Sequence, residues 1–364
     1  MDERSKHMLR LDVLRFLAAC LVCLNHFATY SIKEIGVSYE TSERAFPVLS
    51  IFEDAGAVGV QVFFVISGFV IAFSASRRMG KHGAVAFVWA RVWRIAPALW
   101  ISSLIGALAL WWGGDNSANL MLKLVKSVLL IPQAPHIDGV IWTLMVEAVF
   151  YAVIAVSIWI FEQIPLRRIA ICLGFLSSLY LALLFFADHW EWQFLSTQLN
   201  QFSYSLLLLR HGVFFALGIM LWVGGKTRRM RHVQWLILFS VFGAVEIWLA
   251  MDQRLGTFIF AILICTLFAW FAFAAFQLQS LRVGGRGLRF LGRLSYPLYL
   301  NHYTFGMCST FWFASVRPSE TALLVTCLVA VSGVSFVVLS LETAVQRLIQ
   351  PRGIFRTIVR PPLT

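Results

Sequence analysis

The sequence predicts an all-α fold: a polytopic integral membrane protein of about ten transmembrane helices, with both termini in the cytoplasm. Three observations predict it. Of the 364 residues, 59% are hydrophobic and only 13% charged, against roughly a quarter charged in soluble domains. Thirty-two Phe and fourteen Trp add apolar surface that a core of this length cannot bury, so most of it must face lipid. The apolar residues also gather into runs of about 20, the length that crosses a hydrocarbon layer.

The runs lie at 11–31, 57–75, 95–112, 140–161, 168–187, 205–223, 233–251, 257–276, 294–315 and 320–342. The first counts as a span rather than a cleaved leader, because polar Asn25 and His26 interrupt its outer end and no small-residue cleavage site follows. Between the third and fourth runs, NLMLKLVKSVLL is too short and too basic to cross, and predicts an interfacial or re-entrant helix on the outer side. The outer loop 32–56 carries Glu34, Glu40, Glu43, Glu53 and Asp54 against Lys33 and Arg44, and reads as solvated surface. Residues 1–346 form one transmembrane domain in this reading, followed by a basic cytoplasmic tail, 347–364.

Orientation follows from the cations. With the N-terminus inside, the inner segments hold 22 of the 30 Lys and Arg, the outer segments hold six, and Arg15 and Arg210 fall within spans. The formal charge of +12 is thus topogenic, distributed over six inner segments, and argues against a nucleic-acid partner. All six cysteines sit in apolar runs. Cys20 and Cys23 form a C-x-x-C in mid-helix with no second ligand pair nearby, so neither a disulfide nor a metal is expected.

Charge inside a span is costly and marks function by default. Arg15 and His26 are eleven residues apart, about three helical turns, so they share one face with roughly 16 Å between them along the axis. An isolated Arg15 could instead snorkel, and an isolated His26 could be a packing residue; the reading shared by both is a structural polar stripe. By helical rise, His26, Glu147, Arg210 and Glu246 come out at similar depth, which suggests a hydrated pocket opening outward. Structural pairing of Glu147 with Arg210 is the alternative. Arg91 and Arg94 are i and i+3 at an expected helix start and could grip phosphate bidentately, or serve topology alone. In the ninth run, Ser295 and Tyr299 precede His302; Ser295 and His302 share a face about 10 Å apart, too far for a direct nucleophile–base contact, and interhelical hydrogen bonding is the alternative.

Five segments in order then resemble one family. LDVLRFLAACLVCLNHF carries Arg15-x10-His26, and GVQVFFVISGFVIAFS, ARVWRIAP, IWTLMVEAVFY and LSYPLYLNH follow across nearly the whole chain. Together they resemble the membrane-bound acyltransferase family 3, O-acyltransferases of sugars and cell-surface polymers, in its stand-alone form without an appended extracytoplasmic domain. Two positions depart from the family's pattern: Gln61 stands where Asp is common, and Thr143 where Ser is common.

The resemblance implies an enzyme that moves an acyl group, often acetyl, from cytoplasmic acyl-CoA to a hydroxyl of an extracytoplasmic or membrane-attached glycan or glycolipid. It places the protein in the plasma (inner) membrane, with no metal and with room for a homo-oligomer. Arg15, Arg91 and Arg94 would hold the CoA phosphates. A pantetheine arm is about as long as the Arg15–His26 separation, so the thioester would reach His26. His26 would act as general base or carry the acyl group, with Glu147 orienting it. Arg210, Glu246, Thr143, Tyr151, Ser295, Tyr299 and His302 would line or support the pocket. A transporter or flippase of a glycan or lipid is the rival reading, predicting movement without covalent change. A non-catalytic scaffold or sensor is a third, and would tolerate loss of His26.

Overall fold

The computed structural model describes residues 3–30, 45–115, 119–227, 231–277, 285–316 and 319–349. The acidic stretch 32–44 of the outer loop and most of the expected tail lie outside the described residues. Among those residues the regular structure is helical throughout. The helices are α1 (Glu3–Thr29), α2 (Val58–Ala75), α3 (Gly80–Trp112), α4 (Asn119–Val128), α5 (Ile141–Ile160), α6 (Leu166–His189), α7 (Gln193–Leu199) and α8 (Phe202–Leu206). They continue with α9 (Gly212–Thr227), α10 (Arg231–Ala250), α11 (Leu255–Gln277), α12 (Gly285–Asn301), α13 (Thr304–Ala314) and α14 (Glu320–Ile349).

Among the described residues, seven stretches are long and apolar enough to cross a membrane: Leu11–Thr29, Ala55–Ala75, Gly80–Trp112, Ile141–Ile160, Leu166–His189, His232–Ala250 and Glu320–Leu348. Two further apolar helices, Gly212–Gly225 and Leu255–Trp270, are shorter. They correspond to the expected spans at 205–223 and 257–276. The remaining expected span, 294–315, is not one helix: it breaks between α12 and α13 at His302 and Tyr303. The expected outer helix is present as α4. It turns Met121, Leu122 and Val125 outward, while Lys123 pairs with Asp115 at 2.9 Å and Lys126 donates to the Ala134 carbonyl. That split of apolar and basic faces suits an interface between lipid and water.

Two expectations about charged positions are corrected. Helix α3 begins at Gly80, so Arg91 and Arg94 sit three turns inside it rather than at its start. The preceding run GKHGAVAFVWA has no breaker after Gly83 and simply continues the helical register. Arg210 lies on the turn before α9, not within a span, because the chain at 207–211 makes turns that precede Gly212.

The chain divides into two compact units. The first comprises Met1–Gly59, Arg94–Trp142 and Leu263–Ile349. Its centre is the pairing of α1 with α12, and α14 covers α12 and α13. Close approach depends on Gly292: a Cβ there would lie 2.2 Å from the Asp12 Cβ. The second unit, built on Val60–Trp93 and Thr143–Ile262, packs α6 against α9 and α10. In it α2 meets α9 through Gly68 and Gly218, where added Cβ atoms would stand 2.2 Å from the Phe215 carbonyl oxygen and 2.1 Å from that of Val65. Such small-residue contacts are how helices associate where lipid removes the hydrophobic drive between them.

Candidate active site

His26 occupies the last turn of α1 and is half-buried. Its ring packs against that of His302, with centroids 5.1 Å apart and planes tilted by 37°. Tyr303 meets it edge-on at 4.8 Å. The stripe read from α1 therefore faces the break between α12 and α13, and a second imidazole stands there.

The break is held by identifiable groups. Pro297 lies inside α12, but the helix runs on through it to Asn301, so its missing N–H is not where the chain breaks. Its own carbonyl is taken by the Asn301 side chain, whose Nδ2 donates at 2.7 Å and also reaches Ser102 Oγ at 3.0 Å. A broken helix among spans persists only where protein groups satisfy the freed backbone, and four do so here. His302 Nδ1 lies 2.7 Å from the Tyr299 carbonyl. The Tyr30 hydroxyl shares its proton between the carbonyls of His302, at 2.6 Å, and Tyr303, at 2.8 Å. Asp138 Oδ2 accepts from the Thr304 N–H at 3.1 Å, its Oδ1 from that of Val140 at 2.9 Å, and Thr304 Oγ1 donates to the Ile137 carbonyl. Asp138 thus anchors the first turn of α13. Burial pushes its carboxyl up to about 6, against the pull of those backbone donors.

The cytoplasm-proximal end of the same unit, in the predicted orientation, is basic. Arg15 pairs with Asp12 at 3.8 Å, and Arg94 and Arg289 also act on the Asp12 carboxylate. Glu342 is in reach of Arg94 and Arg293. Four guanidinium groups, from α1, α3 and α12, act on two carboxylates, an excess of positive charge of which Arg15 shares a helix with His26. Ser295 donates to the Gly292 carbonyl at 2.7 Å, and Tyr299 donates to that of Val140 at 3.4 Å. Both are interhelical or local supports.

The second unit holds the other expected residues. Glu147 Oε1 accepts from Ser67 Oγ and from the Tyr151 hydroxyl, each at 2.5 Å. Arg91 donates to Ser74 at 2.9 Å, with its guanidinium over the rings of Phe87 and Tyr151. Thr143 is buried on α5. Arg210 pairs with Glu246, not with Glu147: its Nε lies 3.4 Å from the Glu246 carboxylate and its Nη1 donates to Asn200. Glu246 is 1% exposed and also accepts from Gln61 at 3.1 Å. The alternative pairing of Glu147 with Arg210 is therefore corrected. A carboxylate this deep needs a cation and hydrogen bonds, and the turn before α9 supplies the cation.

The family model described as an acyltransferase domain matches residues 8–342. This chain belongs to acyltransferase family 3. Among its relatives are an O-acetyl transferase of Shigella phage Sf6, 30% identical over 164 residues, which are 40% of this chain and 45% of the relative. The exopolysaccharide production protein ExoZ of Rhizobium meliloti is 36% identical over 117 residues, 29% of this chain and 35% of that protein. Nodulation protein 10 of Rhizobium leguminosarum is 28% identical over 184 residues, 44% and 47% of the two chains. The chain spans less than half the length of each of these relatives. No solved structure matches it.

Within this family 3 acyltransferase, the departure at Gln61 has a visible consequence: the amide donates to Glu246, so the carboxylate at that point stands on α10 instead of α2. Residues that sequence reasoning passed over are Asp138, Tyr30, Tyr303 and Ser67. Asp138 precedes Gly139 in an outer segment and reads as an ordinary turn residue. Its depth is a tertiary fact. Pro297 lies five residues before His302, but α12 continues past it to Asn301, so it does not mark the place of the interruption.

Proposed function

We propose that this protein is a membrane O-acyltransferase that takes an acyl group, acetyl in the simplest case, from acyl-CoA on the cytoplasmic side. It transfers that group to a hydroxyl of an extracytoplasmic or membrane-attached glycan. The observation that carries the proposal is the half-buried His26 ring at one end of α1, with Arg15 on the same helix among cations from α3 and α12, in a chain of acyltransferase family 3. An imidazole suits the task because its unperturbed pKa lies near working pH.

In this mechanism Arg15 and Arg94, with Arg91 one turn earlier on α3, bind the CoA phosphates through charge-assisted hydrogen bonds. His26 removes the proton of the acceptor hydroxyl as its oxygen attacks the thioester carbonyl. The new bond is O–C, the broken bond is C–S, and the proton leaves His26 with the departing CoA thiolate. Glu147 is held by Ser67 and Tyr151 within the second unit. In this reading the protein resides in the plasma membrane, and the distribution of Lys and Arg supports placing both termini in the cytoplasm.

Mass spectrometry of surface glycans from cells with and without the protein tests the reading. A mass difference of one acyl unit is expected, and His26→Ala and Arg91→Ala should each abolish it while the protein still reaches the membrane. Full modification by the His26→Ala protein would remove the proposed base.

A further inference from the structure

One buried nitrogen near His26 has no partner among the described residues. His302 is completely buried, and its Nδ1 lies against the Tyr299 carbonyl at 2.7 Å. A carbonyl only accepts, so the neutral ring must carry its proton on Nδ1 and present a lone pair at Nε2. That Nε2 makes no hydrogen bond. Buried polar atoms left this way are rare in folded proteins and ask for a reason.

The neighbour that can supply the reason is His26. An imidazole nitrogen stands about 1.1 Å from its ring centroid, so two rings 5.1 Å apart bring nitrogens to about 2.9 Å when they point at each other, a hydrogen-bond distance. His26 is half-buried in the last turn of α1, so its ring is the less confined of the two. His302 is held on three sides: Tyr30 grips its carbonyl, Tyr299 grips its Nδ1, and Asp138 fixes the residue two positions on. The less confined ring is the one to adjust.

We infer that His302 is the positioning residue for His26: its Nε2 lone pair accepts the N–H of the His26 ring, which selects one tautomer and leaves the opposite nitrogen free to act as base. When that nitrogen takes a proton, the same lone pair faces the imidazolium and stabilises it, the role that a third group plays toward the base in any nucleophile–base–orienter arrangement. The inference rests on His26 being the base. His302 reaches no solvent and acts only through His26. The other titratable groups gathered here are Tyr30, Tyr303, Tyr299, Cys23, Cys327 and Asp138. Asp138 is the one carboxyl among them, and both its oxygens are held by backbone N–H groups. Glu147, expected from the sequence to orient His26, belongs to the other unit, where it accepts from two hydroxyls.

The test uses the full-length protein in nanodiscs and reads His26 directly. Carbethoxylation by diethyl pyrocarbonate requires a neutral imidazole, so its rate at His26, followed by peptide mass spectrometry across pH 5–9, reports the ring's ionisation without any acyl donor. His302→Leu keeps the volume and removes the acceptor; the midpoint should move to lower pH by about half a unit or more. His302→Gln, whose side-chain carbonyl can still accept, should stay near the wild-type midpoint. In acyl transfer, His302→Leu should lower kcat by roughly 10–100-fold with KM for acyl-CoA within about twofold. If the Leu variant does not accumulate, His302→Met takes its place. An unmoved midpoint in the variant lacking the acceptor overturns the inference whether or not transfer occurs. A moved midpoint in a protein whose wild type transfers no acyl group would leave the His26–His302 pair standing and sink the functional reading alone.

Discussion

Replacing Asp138 by Asn should change not only stability but its dependence on pH. In the native protein both carboxylate oxygens accept backbone N–H groups, those of Val140 and Thr304. Asn retains one acceptor and turns an amide donor toward the other N–H, which costs about 1–3 kcal/mol for the lost and unsatisfied group. The pH term runs in the opposite sense. Burial raises the carboxyl from 3.8 to about 6, so the folded state binds a proton more tightly than the unfolded chain. The associated stability is fully present below about pH 4 and is lost as pH rises through about 6. About two pKa units at ~1.4 kcal/mol each set an upper bound of about 3 kcal/mol on that loss. Asn does not titrate, so its deficit relative to wild type should be largest near pH 4 and shrink by up to that amount by pH 7. Unfolding in mixed micelles with increasing dodecyl sulfate, followed by tryptophan fluorescence at several pH values, measures both curves. Parallel curves, or a deficit that grows with pH, would refute the assignment of Asp138 as a buried, proton-retaining anchor of α13.

Two further outcomes follow from contacts described above. Gly292→Ala should separate α1 from α12, because its Cβ would sit 2.2 Å from the Asp12 Cβ on the facing backbone; we expect at least about 2 kcal/mol of destabilisation and loss of glycan acylation, whereas wild-type thermal stability would show that the helices do not approach there. For the Arg210–Glu246 pair, Arg210→Met should be more damaging than Glu246→Gln, since Glu246 is 1% exposed and would be left as a buried charge, at a cost of about 3–5 kcal/mol, while Arg210 keeps Asn200 as a partner. Equal or reversed thermal midpoints would remove that asymmetry.

Much of the site was legible in the chain itself. Arg15 and His26 lie on one stripe because helical periodicity puts residues eleven apart on one face, and α1 is helical throughout. The amphipathic α4 was likewise readable, since its basic and apolar residues alternate at helical spacing. The breaks and turns were less so. Hydropathy counts residues regardless of backbone, so it ran one span through His302 and placed Arg210 inside another. Whether the helix runs through His302 depends on partners for the freed backbone groups, and those partners are Tyr30, which donates to the His302 carbonyl, and Asp138, which accepts from the Thr304 N–H, 272 and 166 residues away from the groups they bind.

By itself the sequence determined the membrane setting, the helical class, the family and the two ends of the α1 stripe, because these follow from composition, from periodicity and from motifs that are local in the chain. Only the tertiary structure decided which groups meet: His26 with His302, Glu246 with Arg210 and Gln61, Glu147 with Ser67 and Tyr151. The physical reason is that a buried polar group must find its partner wherever packing brings one within about 3 Å, and several helices of similar hydropathy offer many partners that sequence distance does not rank.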